Sequence, residues 1–300
     1  MNDKKAKDHT GYPPEQTDEC ERVLVTLLNG MGPWKDSVYL VGGLAPRYIA
    51  PQDPERPHGG TVDVDIVVRM AVLADTKAYA TLEENLARLG FERVPLGKGG
   101  FFTWRWQIMT DKGHAVVLEF LTGDVERKRG ELEKLPVKGG KLNAYNFPAL
   151  HLVYHFFDTV EVTAELLNGR GVATETLRHA NVVSYLCAKA DALEDRGEEK
   201  DAHDIAYCLE QVPLDAIVAA FQNALNTEFA QMIRTELQVI KKRFCSDDKT
   251  EGFRKDGPVK AIIFEMQDPA GDNEDARNAR ILRQRSVSEA AEALIVALGI

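Results

Sequence analysis

Two aspartates separated by one residue are the feature of the sequence that most directly suggests chemistry. Asp63 and Asp65 interrupt the apolar, β-branched run from Val62 to Val68. A β-strand places side chains two residues apart on the same face, so the two carboxylates should lie side by side. A bound cation relieves their repulsion, and paired carboxylate oxygens suit Mg²⁺ or Mn²⁺ that also contacts substrate phosphates. An exposed strand edge or a turn would tolerate the same pattern without a metal.

A third carboxylate could complete such a site. Glu119 interrupts the otherwise apolar run from Ala115 to Leu121, and a buried acidic side chain is costly unless it has a partner. If neighbouring strands bring Glu119 beside Asp63 and Asp65, three carboxylates could hold two ions. Such a pair of ions aligns and activates a hydroxyl that attacks a nucleotide α-phosphate.

Two glycines follow the first predicted strand. The strand ends at Val41, Gly42 and Gly43 come next, and a helix is predicted to follow with Pro46 in its first turn. Backbone N–H groups at such a turn, together with the N-terminus of a helix, can bind the phosphates of a nucleotide. A tight turn without a ligand has the same sequence pattern.

Charged residues in the second half could also contact phosphates. Lys189 and Arg196 are seven residues apart, which places them on one face of a predicted helix. Asp201 and Asp204 begin the next predicted helix. Acidic residues in a first turn also favour the helix dipole, whatever their function.

The ordered set of motifs resembles the DNA-polymerase-β-like nucleotidyltransferase superfamily, and within it the AbiEii type, the toxin half of type IV toxin-antitoxin and abortive-infection pairs. The matching segments are V-G-G-L-A at 41–45, T-V-D-V-D at 61–65, Glu119, K-A-D-A-L-E-D-R at 189–196 and K-D-A-H-D-I at 200–205. One position departs from the pattern. An arginine often stands two residues before the threonine of the D-x-D motif, and here that residue is Gly59. Arg56 or Arg47 could replace it.

The resemblance implies an enzyme that moves an NMP from an NTP to a hydroxyl with Mg²⁺ or Mn²⁺ as cofactor. The acceptor implied is the 3′ end of tRNA, and an antitoxin would be the protein partner. The metal would be bound by Asp63, Asp65 and Glu119. The residues implied in catalysis are Asp63, Asp65, Glu119, Lys189 and Asp204. Those implied in binding the nucleotide are Gly42, Gly43, Thr61, Lys189 and Arg196. The alternatives are transfer to a protein or small molecule, since one fold hosts many functions, and a non-catalytic nucleotide-binding regulator.

The pattern of apolar residues predicts an α/β (α+β) domain with a mixed sheet, followed by a mostly α-helical domain, and the resemblance implies that the first is a nucleotidyltransferase domain. We expect a mobile lead-in at 1–20, the α/β domain at 21–147 and the helical domain at 148–300. Within the helical domain, an exposed loop is predicted at 268–280. The helices predicted there are 149–157, 174–192, 202–209, 214–242 and 287–298.

Composition narrows the classes of partner. The chain has 300 residues, a net charge of −10 and four widely spaced cysteines, which argues against a broadly basic nucleic-acid-binding surface and against a disulfide framework. No apolar run is long enough for a membrane span, so a cytoplasmic protein without a membrane partner is expected. Two local features are compatible with RNA. One is a basic stretch at 127–141. The other is the aromatic group Phe101, Phe102, Trp104 and Trp106, for which core packing is the first expectation and base stacking the alternative.

Overall fold

In a computed structural model, which describes residues 8–69, 76–97, 99–134, 142–266 and 273–300, the chain divides into two compact units. The first unit contains Pro13–Ala45 and Gly60–Asn181. The second contains Pro46–Gly59 and Val182–Ile300, together with the described residues up to Tyr12. The predicted class is confirmed at a coarse level, because the fold is mixed α/β with a mixed sheet and many helices. The division differs from the predicted boundary at residue 147.

The first unit is built on one mixed sheet, which has nine strands among the described residues. They are β1 Val38–Val41, β2 Asp63–Val68, β3 Glu92–Pro95, β4 Phe101–Met109, β5 Ala115–Thr122, β6 Leu132–Lys134, β7 Asn143–Asn146, β8 Phe157–Glu165 and β9 Val172–Ala180. The strand order is β3-β4-β5-β2-β1-β9-β8, and β7 pairs with both β5 and β6. The pairs β2/β5, β5/β7 and β1/β9 are parallel, and the others are antiparallel.

The described α-helices number nine. They are α1 Pro14–Met31, α2 Pro46–Ile49, α3 Thr76–Leu89, α4 Val182–Arg196, α5 Glu199–Gln211, α6 Leu214–Leu225, α7 Ala230–Phe244, α8 Asp256–Glu265 and α9 Glu274–Leu298. In the first unit, α1 packs against the sheet and α3. Its buried stripe includes Val23, Leu24, Leu27 and Leu28, at the spacing that puts side chains on one helical face.

The start of α1 corrects the prediction of a mobile segment up to residue 20. Pro14 occupies the first turn, where a proline needs no hydrogen-bond partner for its nitrogen. Glu19 and Cys20 are already buried. The Arg22 guanidinium donates to both carboxylate oxygens of Glu19, at 2.9 and 2.8 Å. Because Glu19 and Arg22 neutralise each other, the polar first half of α1 can pack against the rest of the first unit.

The β8–β9 hairpin lies where the sequence predicted helices, and this is the largest difference between prediction and structure. Helices were expected at 149–157 and 174–192, whereas the chain forms a 3₁₀-helix at Pro148–Tyr154 and then two antiparallel strands. Val162 on β8 is buried between two exposed polar residues, and Leu177 on β9 is buried between the exposed Thr176 and the half-buried Arg178, which is the two-residue period of a strand. The sheet therefore continues to Ala180, and α4 begins only at Val182.

The second unit is helical in its described parts. The single helix expected at 214–242 is two helices, because α6 ends at Leu225 and α7 begins at Ala230. The last helix begins at Glu274, where the Asn273 side chain accepts from the Ala276 N–H at 2.8 Å. Residues 274–280 are thus helical rather than part of a loop, and 268–272 lie outside the described residues. Across the described helices of both units, none combines the length and apolar character needed to cross a membrane.

Candidate functional site

Asp63, Asp65 and Glu119, which we call the carboxylate row, lie on neighbouring strands of the first unit. Asp65 on β2 is directly opposite Glu119 on β5, and Asp63 precedes Asp65 by two residues on the same strand. Residues opposite each other in a ladder share a face of the sheet, so all three side chains project to one side. Asp63 and Glu119 are each 7% exposed, and Asp65 is half-buried.

The carboxylate row has the composition and spacing of a hard-cation site. One oxygen from each of the three carboxylates lies within 4.8 Å of the others. Oxygens that share one octahedral Mg²⁺ at 2.0–2.1 Å are separated by roughly 3 to 4 Å, so small side-chain rotations suffice to meet that geometry. The residues present therefore fit a divalent cation such as Mg²⁺ or Mn²⁺.

A hydrogen bond from Thr61 fixes the orientation of the Asp63 carboxylate. Its hydroxyl donates to Asp63 Oδ1 at 2.6 Å, and the side chain is fully buried. The backbone of Thr61 is fixed in turn by Thr17 on α1, whose hydroxyl accepts from the Thr61 N–H at 3.0 Å. The structure thus places Thr61 against a carboxylate of the row. Any influence on a nucleotide would pass through Asp63.

Gly42 occupies a position that no other residue could fill beside Asp65. The backbone of Gly42 is left-handed, with φ +67°, and an added Cβ would lie 2.6 Å from Asp65 Cγ and overlap Oδ2. Gly42 and the buried Gly43 form a 3₁₀ turn that ends at Leu44. The helix predicted after the glycines begins at Pro46 but is short, since α2 spans only Pro46–Ile49. The turn packs against Asp65. The four-residue helix that follows is too short to provide a phosphate-binding N-terminus.

Arg105 is a neighbour of the carboxylate row that the motif analysis missed. It lies on β4 directly opposite Glu119. Its Nε and Nη2 approach Glu119 Oε1 at 2.7 and 2.6 Å. This ion pair supplies the partner that a buried glutamate requires. No local sequence signal indicates the pairing, since it depends on the register of two strands.

The remaining predicted site residues, Lys189, Arg196 and Asp204, lie together in the second unit. Lys189 Nζ is 2.6 Å from Asp204 Oδ2 and 3.3 Å from Asp201 Oδ1. The Arg196 guanidinium binds Asp201 through two nitrogens, at 2.6 and 2.7 Å. Lys189 is only 8% exposed and both aspartates are fully buried. The lysine that the resemblance assigns to nucleotide phosphates is here bonded to two buried carboxylates.

The ion pairs of this charged cluster keep both the carboxylates and the ammonium groups ionised. Burial would raise the pKa of Asp204, but the charges of Lys189 and Lys200 outweigh it and hold that pKa well below its usual range. Burial would likewise lower the pKa of Lys189, but Asp204 and Asp201 raise it overall. The cluster is therefore charged throughout the physiological pH range.

Two histidines adjoin Asp204, and sequence reasoning missed both. His58 Nε2 is 2.8 Å from Asp204 Oδ1, whereas neither ring nitrogen of the buried His203 has a hydrogen-bond partner among the described residues. Burial, aided by His58, lowers the pKa of His203 to about 3, and burial lowers the pKa of His58 despite its bond to Asp204. Both rings are thus neutral near pH 7.

His58, His203 and Asp204 offer ligand atoms within 4.8 Å of one another, a spacing that could suit a transition metal. The ammonium groups of Lys189 and Lys200 are 2.6 and 3.3 Å from the same carboxylate. A divalent cation bound there would be repelled by two buried or nearly buried positive charges. We therefore assign these histidines to packing around Asp204.

Packing also explains the departure at Gly59. A Cβ at this position would lie 2.6 Å from Phe264 Cε1 and 3.0 Å from His203 Nε2, so an arginine cannot be accommodated. Of the two suggested replacements, Arg56 binds Glu210 at 2.8 Å, and Arg47 lies in the last turn of α2.

Comparison of the whole chain with protein-family models finds no match, and the curated proteins include no significant match either. The argument for function therefore depends on the geometry of the carboxylate row and on the ordered motifs.

Proposed function

We propose that the protein is a metal-dependent nucleotidyltransferase that transfers an NMP from an NTP to an acceptor hydroxyl. The observation that carries the proposal is the alignment of Asp63, Asp65 and Glu119 on one face of the sheet, with ligand oxygens within 4.8 Å. Three neighbouring carboxylates repel one another, and a cation that contacts all three would relieve this repulsion.

The chain's own residues would fix the site before substrate binds. Thr61 orients Asp63, the Gly42 turn packs against Asp65, and Arg105 orients Glu119. In the reaction, the acceptor oxygen forms a bond to the α-phosphorus and loses its proton to solvent, and the bond from that phosphorus to the bridging oxygen breaks, releasing pyrophosphate with the electron pair of that bond. Bound Mg²⁺ or Mn²⁺ would supply charge stabilisation to the attacking and leaving oxygens.

The acceptor that we propose is the 3′ end of tRNA, which rests on the motif resemblance and implies a toxin with a cognate antitoxin. The basic stretch at 127–141 is consistent with an RNA acceptor. Its described part includes Arg127, which pairs with Asp124 at 3.0 Å, and Lys134 at the end of β6. Lys138 and Lys141 lie outside the described residues.

The test is transfer of label from each α-labelled NTP into cell extract, with Mg²⁺ or with a chelator. Nuclease and protease digestion then shows which pool holds the label. Wild type is compared with Asp65→Asn and with Asp158→Asn, an exposed aspartate on β8 of the same sheet. Label in RNA that requires Mg²⁺ and Asp65 supports the proposal. Label in protein or a small molecule would identify a different acceptor, and transfer of label that is unaffected by Asp65→Asn would refute the proposed site.

A further inference from the structure

A group of partly exposed aromatic rings lies at the start of β4 and along β7. Its members, which we call the aromatic cluster, are Phe102, Trp104, Tyr145 and Phe147. The ring centroids are 6.0 Å apart for Phe102 and Trp104, 4.8 Å for Trp104 and Tyr145, and 5.0 Å for Tyr145 and Phe147. All four side chains are half-buried, whereas a core aromatic of the same sheet, Phe120, is fully buried. The cluster is therefore only partly used in packing.

The sheet register places Tyr145 on the same face as the carboxylate row. Tyr145 is directly opposite Leu121, which follows Glu119 by two residues on β5. Two residues along a strand and one strand across correspond to a Cα separation of about 8 Å between Glu119 and Tyr145. This span is comparable with the reach from the α-phosphate of a nucleotide to its base. A nucleotide with its phosphates at the carboxylate row could therefore bring its base to Tyr145.

Arginines connect the aromatic cluster to the carboxylate row and add positive charge. The Arg105 guanidinium lies 4.9 Å from the Trp104 ring centre and 5.5 Å from that of Phe102, while its nitrogens bind Glu119. Arg129 lies 5.5 Å from the centre of the Phe147 ring. Stacking rings combined with arginines are the means by which proteins bind the bases and phosphates of single-stranded nucleic acid or of a nucleotide.

Tyr145 is the member best placed to receive a base. It is the member that the sheet register puts on the face of the carboxylate row. Its ring contacts those of Trp104 and Phe147 at interplanar angles of 36° and 50°, and its hydroxyl end packs against the turn at Gly130, where an added Cβ would lie 3.0 Å from Tyr145 Oη. Contacts with these three neighbours restrict the movement of the Tyr145 ring, which lowers the entropy lost when a base stacks on it.

We propose that the aromatic cluster is a nucleobase-binding site, in which a base of the substrate stacks on Tyr145 beside Trp104. The inference rests on the proposed nucleotidyl transfer, since that reaction brings nucleotides to the carboxylate row. The stacked base belongs either to the incoming NTP or to the end of the RNA acceptor. The chemistry of recognition is the same for both.

Equilibrium binding tests this site without requiring turnover. The probes are the α,β-methylene analogues of the four NTPs, inorganic tripolyphosphate, and a single-stranded RNA ending in CCA with a matched RNA whose last nucleotide lacks its base. Tyr145→Leu removes the ring and Tyr145→Phe retains it. Phe157→Leu is the control, because Phe157 is a half-buried aromatic on β8 whose ring lies 5.1 Å from that of Tyr39.

We expect Tyr145→Leu to weaken binding of a base-bearing probe by roughly 5- to 150-fold, the range found when one stacked base loses its aromatic partner. Tripolyphosphate binding should be unchanged, and Tyr145→Phe and Phe157→Leu should bind like wild type. If Tyr145→Leu does not fold, Trp104→Leu removes the adjacent ring and serves the same purpose. Loss confined to the NTP analogues identifies the incoming base, and loss confined to the RNA with an intact last base identifies the acceptor.

The inference is overturned if Tyr145→Leu binds every base-bearing probe like wild type, if it weakens tripolyphosphate equally, or if wild type binds none of the probes. Its failure is distinguishable from failure of the proposed function. Stacking at Tyr145 without any transfer of label would retain the base site and reject the transferase. Transfer that requires Asp65 but is indifferent to Tyr145 would do the reverse.

Discussion

Replacing Lys189 by methionine should destabilise the second unit by about 3 to 5 kcal/mol, the cost of removing one partner from a buried ion pair. Methionine keeps the length and apolar volume of the lysine stem, so the change isolates the ammonium group. That group is 2.6 Å from Asp204 and 3.3 Å from Asp201, both fully buried. Its loss leaves Asp204 with Lys200 at 3.3 Å and with His58, whose buried ring is neutral near pH 7. We therefore expect the upper part of the range only if Lys200 does not move closer.

The assay is urea unfolding followed by the helical circular dichroism signal. The matched control is Lys242→Met, because Lys242 pairs with Glu194 at 2.6 Å with side chains that are 66% and 39% exposed. An exposed pair contributes roughly 0 to 1 kcal/mol, so the control should barely change the unfolding midpoint. Equal midpoints for Lys189→Met and Lys242→Met would refute the reasoning.

A double-mutant cycle separates the ion pair from other effects of the lysine. Replacing Lys189 leaves the Asp204 carboxylate without this partner, and Asp204→Asn removes that negative charge. The double variant should therefore be more stable than the sum of the two single losses predicts. A coupling of about 1 to 3 kcal/mol is expected for residues in direct contact. Additive losses would show that Lys189 and Asp204 act independently.

Three further predictions concern the carboxylate row and the histidines. Asp65→Asn should reduce transfer by roughly a thousandfold or more, because a metal ligand is lost, and should leave the free energy of unfolding within about 1 kcal/mol of wild type, because one of two repelling charges is removed; steady-state rates and urea unfolding check it. Gly42→Ala should abolish transfer by displacing Asp65, whereas Gly32→Ala, at φ +60° with open space around the added Cβ, should lose only stability. The lowered pKa of His203, about 3 against an ordinary 6.5, means that the unfolded chain binds a proton that the folded chain does not. Stability should therefore be full above pH 6.5 and fall as the pH drops toward 3, by up to about 1.4 kcal/mol per pH unit for this group. His203→Phe, which keeps the ring beside Phe264, should reduce the loss between pH 7 and pH 5 measured by urea unfolding.

Local patterns in the sequence predict the strands of the carboxylate row well. The strand at Asp63–Val68 and its two inward aspartates follow from a two-residue period and β-branched residues within a few positions. The parallel register that brings Glu119 to Asp65 does not, because strand pairing is set by the packing of the whole sheet. Arg105 joins Glu119 for the same non-local reason.

The β8–β9 hairpin and the His58 contact show where local patterns fail. A helix was predicted at 174–192, yet the Thr163 and Thr174 hydroxyls are 2.7 Å apart across the hairpin and the buried positions of β9 alternate. Tertiary pairing overrides helix propensity there. His58 reaches Asp204 from a segment that belongs to the second unit in space but precedes the first unit's strand β2 in sequence. Such a contact leaves no spacing signal.

Each of the two units contains neighbouring carboxylates whose negative charges must be stabilised, and the source of that stabilisation differs between them. This difference determines what each motif can do. In the second unit, Lys189 donates to Asp204 and Asp201 at hydrogen-bond distance. A phosphate could bind the Lys189 ammonium only if these ion pairs with two buried carboxylates were broken. The spacing of a lysine and two aspartates thus fits a stabilising cluster as well as a phosphate site. In the first unit, the Asp63 and Asp65 carboxylates lie side by side, where a bound divalent cation would stabilise both. Substitutions at Asp65 should therefore change catalysis without changing stability, and substitutions at Lys189 should change stability first. Measuring both quantities for both residues separates a catalytic motif from a structural one.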